Sequence, residues 1–324
     1  MRILVIGCGS IGQRHARLLA ERSNVELGVC DPVAANLEAA AHAAGHGEKY
    51  SNLSDALKAG FNAAIVCTPN DSHAEVSVAV MRAGLDVLVE KPMADTCTNA
   101  EAMAAVAQET GRLLMVGYVL RFHPGLREMK RLVEAGHIGQ LVGARAMIGT
   151  YFTLMCARTP FRLTQRGVLV LDYTHLVDYL GWFLGSVAEV AARAARTGDL
   201  PMRPDPNLVA ALLRYRSGAI ATLHLDYIQH PQRHVLDLYG DKGTLVMNFE
   251  TALLEEYKAN EEGVRVRAIP YFRDNMFREE HSAFLESLRT RVPVISAADG
   301  IEAMRVAEAI LTSATFGGVV QLPG

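Results

Sequence analysis

The stretch RILVIGCGSIGQRH, from Arg2 to His15, decides the fold of the N-terminal part of the chain. A short apolar run, ILVI, leads directly into Gly7, Gly9 and Gly12, which form a G-x-G-x-x-G pattern at the start of an Ala- and Leu-rich helical segment. The pattern alone is a weak signal. Here it lies between a strand and a helix, and Asp31 follows about 20 residues later at the end of a second apolar run, which completes the context of a dinucleotide-binding loop.

Each glycine has a physical role in such a loop. Gly7 permits the tight turn, Gly9 lets the backbone approach a pyrophosphate, and Gly12 lets the helix pack closely on the strand. The first residues of the helix, Ser10 and Ile11, offer free N–H groups and the positive end of the helix dipole to the phosphates. These residues are therefore predicted to bind the cofactor.

Asp31 indicates which dinucleotide is bound. Its carboxylate is expected to accept hydrogen bonds from the adenosine ribose hydroxyls and to repel a 2′-phosphate. The residues after it, PVAANLEAA, contain no Arg or Lys, so the sequence favours NAD over NADP. The alternative interpretation is a glycine turn and a surface aspartate in another α/β fold.

The composition excludes several classes of protein. With 324 residues, half of them hydrophobic, the chain is long enough for two domains of ordinary size. Its 32 basic and 35 acidic residues nearly cancel, which disfavours binding to nucleic acid or to an anionic membrane. Five cysteines without a C-x-x-C pair fit reduced thiols, and we interpret Cys8, Cys30 and Cys67 as small buried hydrophobic residues. Because the sequence passes from Met1 straight into a strand, we expect no secretory signal and a cytoplasmic protein.

The pattern of apolar residues predicts two domains. Residues 1–120 alternate short β-branched runs with helical segments, which predicts a doubly wound parallel sheet that forms the NAD-binding domain. Residues 121–324 contain a helix from Pro124 to Ala135, a helix over about 168–184, consecutive alternating runs such as LVAALLRY and AIATLHLDY, and a last helix from Asp299 to Ser313. We expect an α+β domain with a largely antiparallel sheet that serves substrate binding and oligomerisation, and whose last helix packs back toward the domain junction.

The run VLVEKPMA, Val87 to Ala94, ends an apolar strand in adjacent charged residues, Glu90 and Lys91. In a doubly wound sheet the carboxyl ends of the strands border the ligand crevice, so this charged pair is predicted to face a ligand rather than the core. Pro92 restricts how the backbone leaves that edge, with a cis bond as one way to do so.

The segment GVLVLDYTHLVDYLGWFLG is apolar except for Asp172, His175 and Asp178, whose spacing puts them along one side of a helix. These charges exclude a transmembrane helix and require a polar cavity or mutual hydrogen bonds. In a cavity, His175 could take a proton from an alcohol near neutral pH, with a carboxylate to orient its ring. The alternative is a buried His–Asp pair that only ties helices together. We interpret Asp178 as structural.

The ordered motifs GCGSIG, CTPNDSH, VEKPMA, GYVLRFHP and VLDYTHLVDYL resemble those of the Gfo/Idh/MocA family of NAD(P)-dependent oxidoreductases, over nearly the whole chain. The resemblance implies an N-terminal Rossmann domain and a C-terminal α+β domain whose open sheet often packs against another subunit, hence a homodimer or homotetramer. It further implies a dehydrogenase or reductase acting on a secondary alcohol, or the matching ketone, of a sugar, cyclitol or related derivative.

The resemblance also implies roles for individual residues. Lys91 matches the family's active-site lysine, and Asp172 and His175 match the carboxylate and the acid/base histidine of the second domain. The cofactor-binding residues that it adds lie beside the nicotinamide half and are Thr68, Pro69, Asn70, His73, Glu90 and Lys91 itself.

Two departures from the family's pattern limit this transfer. Many members separate the aspartate and the histidine by three residues, whereas two separate Asp172 and His175, so the carboxylate is expected to sit differently relative to the histidine. At Val119 many members carry Asn or Gln. Two other functions remain open: an NAD-retaining glycosidase that uses transient oxidation, and a non-catalytic NAD-binding regulatory protein.

Further polar residues are candidates for substrate binding. Arg158 and Arg162, with Arg166, precede the buried helix and could bind an acidic group of a substrate, or could form a solvated basic loop. Arg121, His123 and Tyr151 could contact substrate or serve interdomain packing. The remaining histidines of the second half show no metal-type spacing, so no catalytic metal is predicted.

Overall fold

The computed structural model describes residues 1–45, 47–151, 153, 167–200 and 204–323. The chain divides into two compact units, of which the first comprises Met1–Phe122 and Phe272–Met304, and the second comprises His123–Tyr271 and Arg305–Gly324. The first unit therefore includes a segment that lies far beyond residue 120 in the sequence. The assignment of cofactor binding to residues 1–120 and of substrate binding to residues 121–324 stays a prediction.

The first unit contains a six-stranded sheet in the order β3-β2-β1-β4-β5-β6. Its strands are β1 (Arg2–Ile6), β2 (Glu26–Cys30), β3 (Glu48–Tyr50), β4 (Ala63–Val66), β5 (Asp86–Glu90) and β6 (Leu114–Gly117). Every neighbouring pair is parallel, which confirms the predicted doubly wound sheet. The strand order reverses between β1 and β4, and such a reversal opens a ligand crevice at the carboxyl ends of the strands.

Helices connect these strands and cover the sheet. They are α1 (Ser10–Ala20), α2 (Ala34–Ala43), α3 (Leu53–Leu57), α4 (His73–Arg82) and α5 (Cys97–Thr110), with a 3₁₀ turn at Val119–Phe122. Side chains cap two of them in the usual way: Asn52 accepts the N–H of Asp55 before α3, and Thr96 accepts the N–H of Asn99 before α5.

The second unit contains a nine-stranded sheet in the order β14-β13-β12-β11-β7-β10-β9-β8-β15. Its strands are β7 (Leu141–Gly149), β8 (Val187–Ala195), β9 (Leu208–Tyr215), β10 (Ile220–Asp226), β11 (Arg233–Gly240), β12 (Gly243–Asn248), β13 (Leu253–Lys258), β14 (Arg265–Ala268) and β15 (Val319–Gln321). Only β7 and β10 pair in parallel, so the sheet is mainly antiparallel, as predicted. Along β9, buried residues alternate with exposed ones, so one face of the sheet lies on the core.

Among the described residues, the helices of the second half are α6 (Pro124–Glu134), α7 (Val168–Asp172), α8 (Thr174–Leu184), α9 (Arg273–Thr290) and α10 (Ala297–Phe316). Helix α9 belongs to the first unit, where Asp274 pairs with Arg17 of α1 and Arg278 pairs with Glu21, the residue that directly follows α1. In the described part of the chain, no helix combines the length and the apolar character that a membrane span requires.

The single helix predicted over 168–184 is interrupted at Tyr173, whose backbone angles (φ −106°, ψ 25°) leave the helical region. The hydroxyl of Thr174 donates to the carbonyl of Leu171 at 3.3 Å, a local side-chain bond of the kind that competes with the backbone ladder of a helix. Asp172 thus ends one helix and His175 lies in the first turn of the next. The expectation that both lie on one continuous helix is wrong.

Candidate active site

The glycine loop has the shape that a dinucleotide phosphate requires. Gly7 adopts φ +87°, and a Cβ there would lie 2.6 Å from the N atom of Thr68, so only glycine fits the turn. A Cβ on Gly12 would lie 1.9 Å from the carbonyl oxygen of Gly7, which confirms the close packing of α1 on the loop. A Cβ on Gly9 would meet nothing within 4 Å. The open space over Gly9 therefore fits the approach of a pyrophosphate.

Asp31 lies directly after β2 and faces the glycine loop. Its Oδ2 accepts the N–H of Cys8 at 2.7 Å, and its Oδ1 accepts the N–H of Val33 at 2.8 Å. Since a carboxylate oxygen can accept more than one hydrogen bond, Asp31 retains acceptor capacity for ribose hydroxyls. The loop and Asp31 together fit the adenosine half of NAD.

The cysteines near the loop are poor nucleophiles. Cys8 and Cys30 are buried, and burial, with the negative charge of Asp31, raises the pKa of their thiols to about 12 and about 11. Cys67 is partly buried, and desolvation raises its pKa well above the ordinary value. These thiols stay protonated at neutral pH, in agreement with a packing role.

The loop after β4 is tied to the loop after β5 by His73. This histidine is buried, and its ring nitrogens lie 2.9 Å from the carbonyl oxygen of Thr68 and 2.8 Å from that of Pro92. The structure thus gives His73 a role in holding two loops at the carboxyl edge of the sheet. Its direct contact with the cofactor, and that of Thr68, Pro69 and Asn70, stay predictions.

Glu90, the last residue of β5, is held on both carboxylate oxygens. Oε1 lies 3.0 Å from Nε2 of His15, and Oε2 accepts the N–H of Lys91 at 3.1 Å. Burial acts to raise the pKa of Glu90, but His15 and the Lys91 ammonium outweigh it and lower that pKa. Glu90 is therefore an anion whose carboxylate is held in place next to Lys91. Lys91 is partly exposed, and a cis peptide bond joins it to Pro92.

Two residues of α9, Glu280 and His281, join Glu90 and His15 in a buried polar cluster. Nε2 of His281 lies 2.7 Å from Nδ1 of His15, and Glu280 is fully buried with neither carboxylate oxygen hydrogen-bonded. Burial and the charge of Glu90 raise the pKa of Glu280 well above its ordinary value. Glu280 is thus held neutral, because two adjacent buried carboxylates cannot both ionise.

Three side chains of this cluster, His15, Glu90 and Glu280, form the group of described residues that could hold a metal ion. One nitrogen of His15 and one oxygen each of Glu90 and Glu280 lie within 4.8 Å of one another. However, His15 and Glu90 already bond each other, and a neutral carboxylic acid is a poor ligand, since metal binding needs the deprotonated form. We interpret the bonded part of the cluster, from His281 through His15 to Glu90, as a hydrogen-bonded chain that supports the end of β5.

In the second unit, Asp172 and His175 are partly exposed, whereas Asp178 of the same segment is buried. Oδ2 of Asp172 accepts a hydrogen bond of 2.8 Å from the hydroxyl of Tyr227. A pair that faces substrate must be accessible, and Asp172 and His175 meet this requirement. The burial of Asp178 agrees with its interpretation as structural.

The structure gives packing or pairing roles to several substrate candidates. Arg121 pairs with Asp299 at 2.9 Å within the first unit. His123 is fully buried, and its Nδ1 accepts the N–H of Gly125 at the start of α6. Its ring centroid lies 4.1 Å from that of Tyr271. Desolvation lowers the pKa of His123 to about 4.

Tyr151 is partly exposed, and its ring centroid lies 4.3 Å from that of His230.

Val119, where many family members carry a polar residue, is buried in the 3₁₀ turn. The positions Arg158, Arg162 and Arg166, and also Cys156, lie outside the described residues.

Sequence reasoning missed four polar residues that the structure brings to the predicted site residues: His15, Glu280, His281 and Tyr227. His15 follows the last glycine of the loop by one helical turn, so its position on the inward face of α1 could have been noticed. Tyr227 follows an alternating strand, and only the folded chain shows that it meets Asp172.

Residues 1–118 match the model of the oxidoreductase family with an NAD-binding Rossmann fold, and residues 126–246 match the GFO/IDH/MocA C-terminal domain. The chain is 32% identical over 237 residues to 4-carboxy-2-hydroxymuconate-6-semialdehyde dehydrogenase of Sphingobium sp., an alignment that covers 70% of this chain and 72% of that protein. It is 27% identical to inositol 2-dehydrogenase 2 of Saccharopolyspora erythraea, over 98% and 94% of the two chains.

Among solved structures, the WlbA dehydrogenase from Bordetella pertussis in complex with NADH and UDP-GlcNAcA superposes with a TM-score of 0.85 at 26% identity, covering 100% of this chain and 99% of that one. Family models thus match both parts of the chain, and a relative above 30% identity is covered over more than two thirds of its length. The chain therefore belongs to the Gfo/Idh/MocA family and is an NAD-binding oxidoreductase.

Proposed function

We propose that this protein is an NAD-dependent dehydrogenase that transfers hydride between the nicotinamide and a secondary alcohol or ketone carbon of a sugar, cyclitol or sugar derivative. The similar proteins named above include an inositol dehydrogenase and a dehydrogenase bound to a nucleotide sugar, which supports a carbohydrate-like substrate. NAD rather than NADP is proposed because Asp31 follows β2 and no basic residue follows it closely.

The observation that carries the proposal is the end of β5. Lys91 follows Glu90, which His15 and the N–H of Lys91 hold in place, at the same sheet edge as the glycine loop. Bound NAD supplies the acceptor or donor of the hydride. In this proposal the ammonium of Lys91 binds the reacting oxygen and stabilises its alkoxide character.

The second unit is proposed to supply the proton-handling groups. His175 takes the proton from the substrate hydroxyl during oxidation and returns it during reduction, which suits a group whose ordinary pKa is about 6.5. Asp172 is proposed to orient the reacting groups and to stabilise the protonated imidazole.

The experiment that tests this function follows NADH formation over a panel of sugars, cyclitols, sugar acids and nucleotide sugars, with NADP in parallel. We expect turnover with at least one member and a preference for NAD. Failure with every member contradicts the substrate class, and a preference for NADP contradicts the role of Asp31. Release of sugar from glycosides without net NADH would instead support a glycosidase.

Two alanine substitutions in the glycine loop are expected to separate cofactor binding from folding. Gly9→Ala adds a methyl group to open space, so the melting temperature should stay unchanged while NADH binds at least tenfold more weakly, a loss of about 1.4 kcal/mol. Gly12→Ala forces a Cβ against the Gly7 carbonyl and should lower the free energy of unfolding by about 1–3 kcal/mol. Thermal unfolding and NADH fluorescence titration measure both effects. Unchanged NADH affinity in the Gly9 variant would contradict the proposed phosphate contact.

We further propose that the protein forms a homodimer or homotetramer through the exposed face of the nine-stranded sheet. Arg145, Thr222 and Leu212 are exposed and lie opposite one another on three adjacent strands. Leu212→Glu should halve the mass measured by light scattering, because it replaces an apolar side chain of the proposed contact with a charge that association would bury. The same change at exposed Val266, on the strand β14 at the other end of the sheet order, is the control. A wild-type mass equal to that of one chain would contradict the proposal.

A further inference from the structure

Tyr227 is the residue that the structure adds to the proposed catalytic carboxylate. It follows the last residue of β10 directly, its side chain is fully buried, and its hydroxyl donates to Oδ2 of Asp172 at 2.8 Å. A hydrogen bond from a buried donor to a carboxylate is stronger than one between neutral groups. Tyr227 therefore restricts the orientation of the Asp172 side chain.

The backbone around Tyr227 is itself fixed. Oδ1 of the preceding Asp226 accepts the N–H groups of Ile228 and Gln229 at 2.8 and 2.7 Å, which closes a tight turn. The N–H of Tyr227 donates to the carbonyl oxygen of Asn207 at 3.0 Å. The phenol ring is thus held at a defined position relative to α7.

Tyr227 is also a permanent donor. Burial, with the nearby charge of Asp172, raises its pKa well above the ordinary value, so the hydroxyl keeps its proton over the working range of an enzyme. Tyr173, which follows Asp172 in the sequence, does not serve as a second such donor, because its hydroxyl bonds that of Thr153 at 2.9 Å.

We propose that Tyr227 is a positioning residue of the reaction, which acts by fixing the carboxylate of Asp172 rather than by contacting substrate. This inference rests on the proposed function, since it gives Asp172 a part in turnover. It differs from a purely structural role for Tyr227, which would stabilise the fold and leave the rate of the folded enzyme unchanged.

The test is a double-mutant cycle of Tyr227→Phe and Asp172→Asn, measured with the substrate that the panel identifies. We expect Tyr227→Phe to lower kcat about tenfold with little change in the NADH dissociation constant, as for the loss of one hydrogen bond to a charged group. We expect the double variant to be no slower than Asp172→Asn alone, because Tyr227 is proposed to act on the rate only through the carboxylate, which Asp172→Asn has already removed. The matched control is Tyr179→Phe, which removes another buried phenol, bonded to His234 at 3.3 Å, and should keep kcat unchanged.

The outcomes separate this inference from the proposed function. No turnover by the wild type contradicts the proposed function. Normal kcat in Tyr227→Phe, or rate losses that multiply in the double variant, overturns the inference and leaves the function intact.

A second readout does not need turnover or a folded Tyr227 variant. In protein labelled with ¹³C at the tyrosine Cζ, Asp172→Asn should shift the Tyr227 resonance, because the phenol loses its anionic acceptor. An unchanged resonance overturns the inference.

Discussion

Lys91→Met is expected to lower kcat by about 10²–10³, because the variant keeps the bulk of the side chain and removes the ammonium that we propose stabilises the reacting oxygen. NADH affinity should change little, since the glycine loop and Asp31, rather than Lys91, are proposed to hold the phosphates and the adenosine ribose. Initial rates of NADH formation, together with fluorescence titration of NADH, measure the two quantities separately.

Lys49→Met is the matched control. Lys49 belongs to the same unit, and its ammonium pairs with Glu38 at 2.8 Å on the surface, where ion pairs contribute little to stability. We expect wild-type turnover from this variant. Undiminished turnover in Lys91→Met would show that the reacting oxygen is stabilised by another group.

The surroundings of Glu90 explain why Lys91 can be placed accurately. A lone buried carboxylate at the end of β5 would be strongly disfavoured, but His15 and the N–H of Lys91 satisfy its oxygens. Helix α9 adds His281, whose Nε2 lies 2.7 Å from Nδ1 of His15 and so helps to fix the ring that holds Glu90. Fixing the carboxylate in this way supports the backbone from which the lysine side chain extends, and residues near a reacting centre work best when such neighbours lock them.

The local parts of this arrangement could be predicted from the sequence. The glycine turn, the strand ending in Glu90 and Lys91, and the alternating runs of the second half each depend on neighbouring residues, and periodicity reports such patterns well. The strand β9, predicted from LVAALLRY, spans the same residues in the structure, Leu208–Tyr215.

The parts that sequence reasoning missed depend on contacts between distant residues. Nothing near Glu280 indicates that it lies beside Glu90, 190 positions earlier in the chain, because that contact requires α9 to return to the first unit. Similarly, the segment 168–184 is apolar apart from Asp172, His175 and Asp178, so its periodicity does not reveal the interruption at Tyr173. That interruption changes how Asp172 and His175 are oriented relative to each other, and it shows why a spacing rule for one helix fails here.

His175→Ala is expected to lower kcat by about 10²–10⁴, the range usually found when a general acid or base is removed. The loss should fall on the chemical step, so NADH binding should remain, and a hydride-transfer isotope effect should become larger if product release limits the wild type. Because His175 is partly exposed, the truncated side chain leaves space that a small base can reach, and added imidazole should restore part of the rate.

A histidine that is only structural would behave differently, and His137→Ala provides the comparison. His137 is a partly exposed histidine of the same unit whose Nδ1 lies 3.1 Å from Glu256, so its removal deletes a paired histidine outside the proposed site. We expect this control to keep wild-type kcat and to show no response to imidazole. If His175→Ala also keeps its kcat, the proton must pass through another group, and Lys91 would then be the first candidate. If instead both the rate loss and the imidazole rescue are found only at His175, a role that merely ties helices together is excluded, since an added base cannot replace packing.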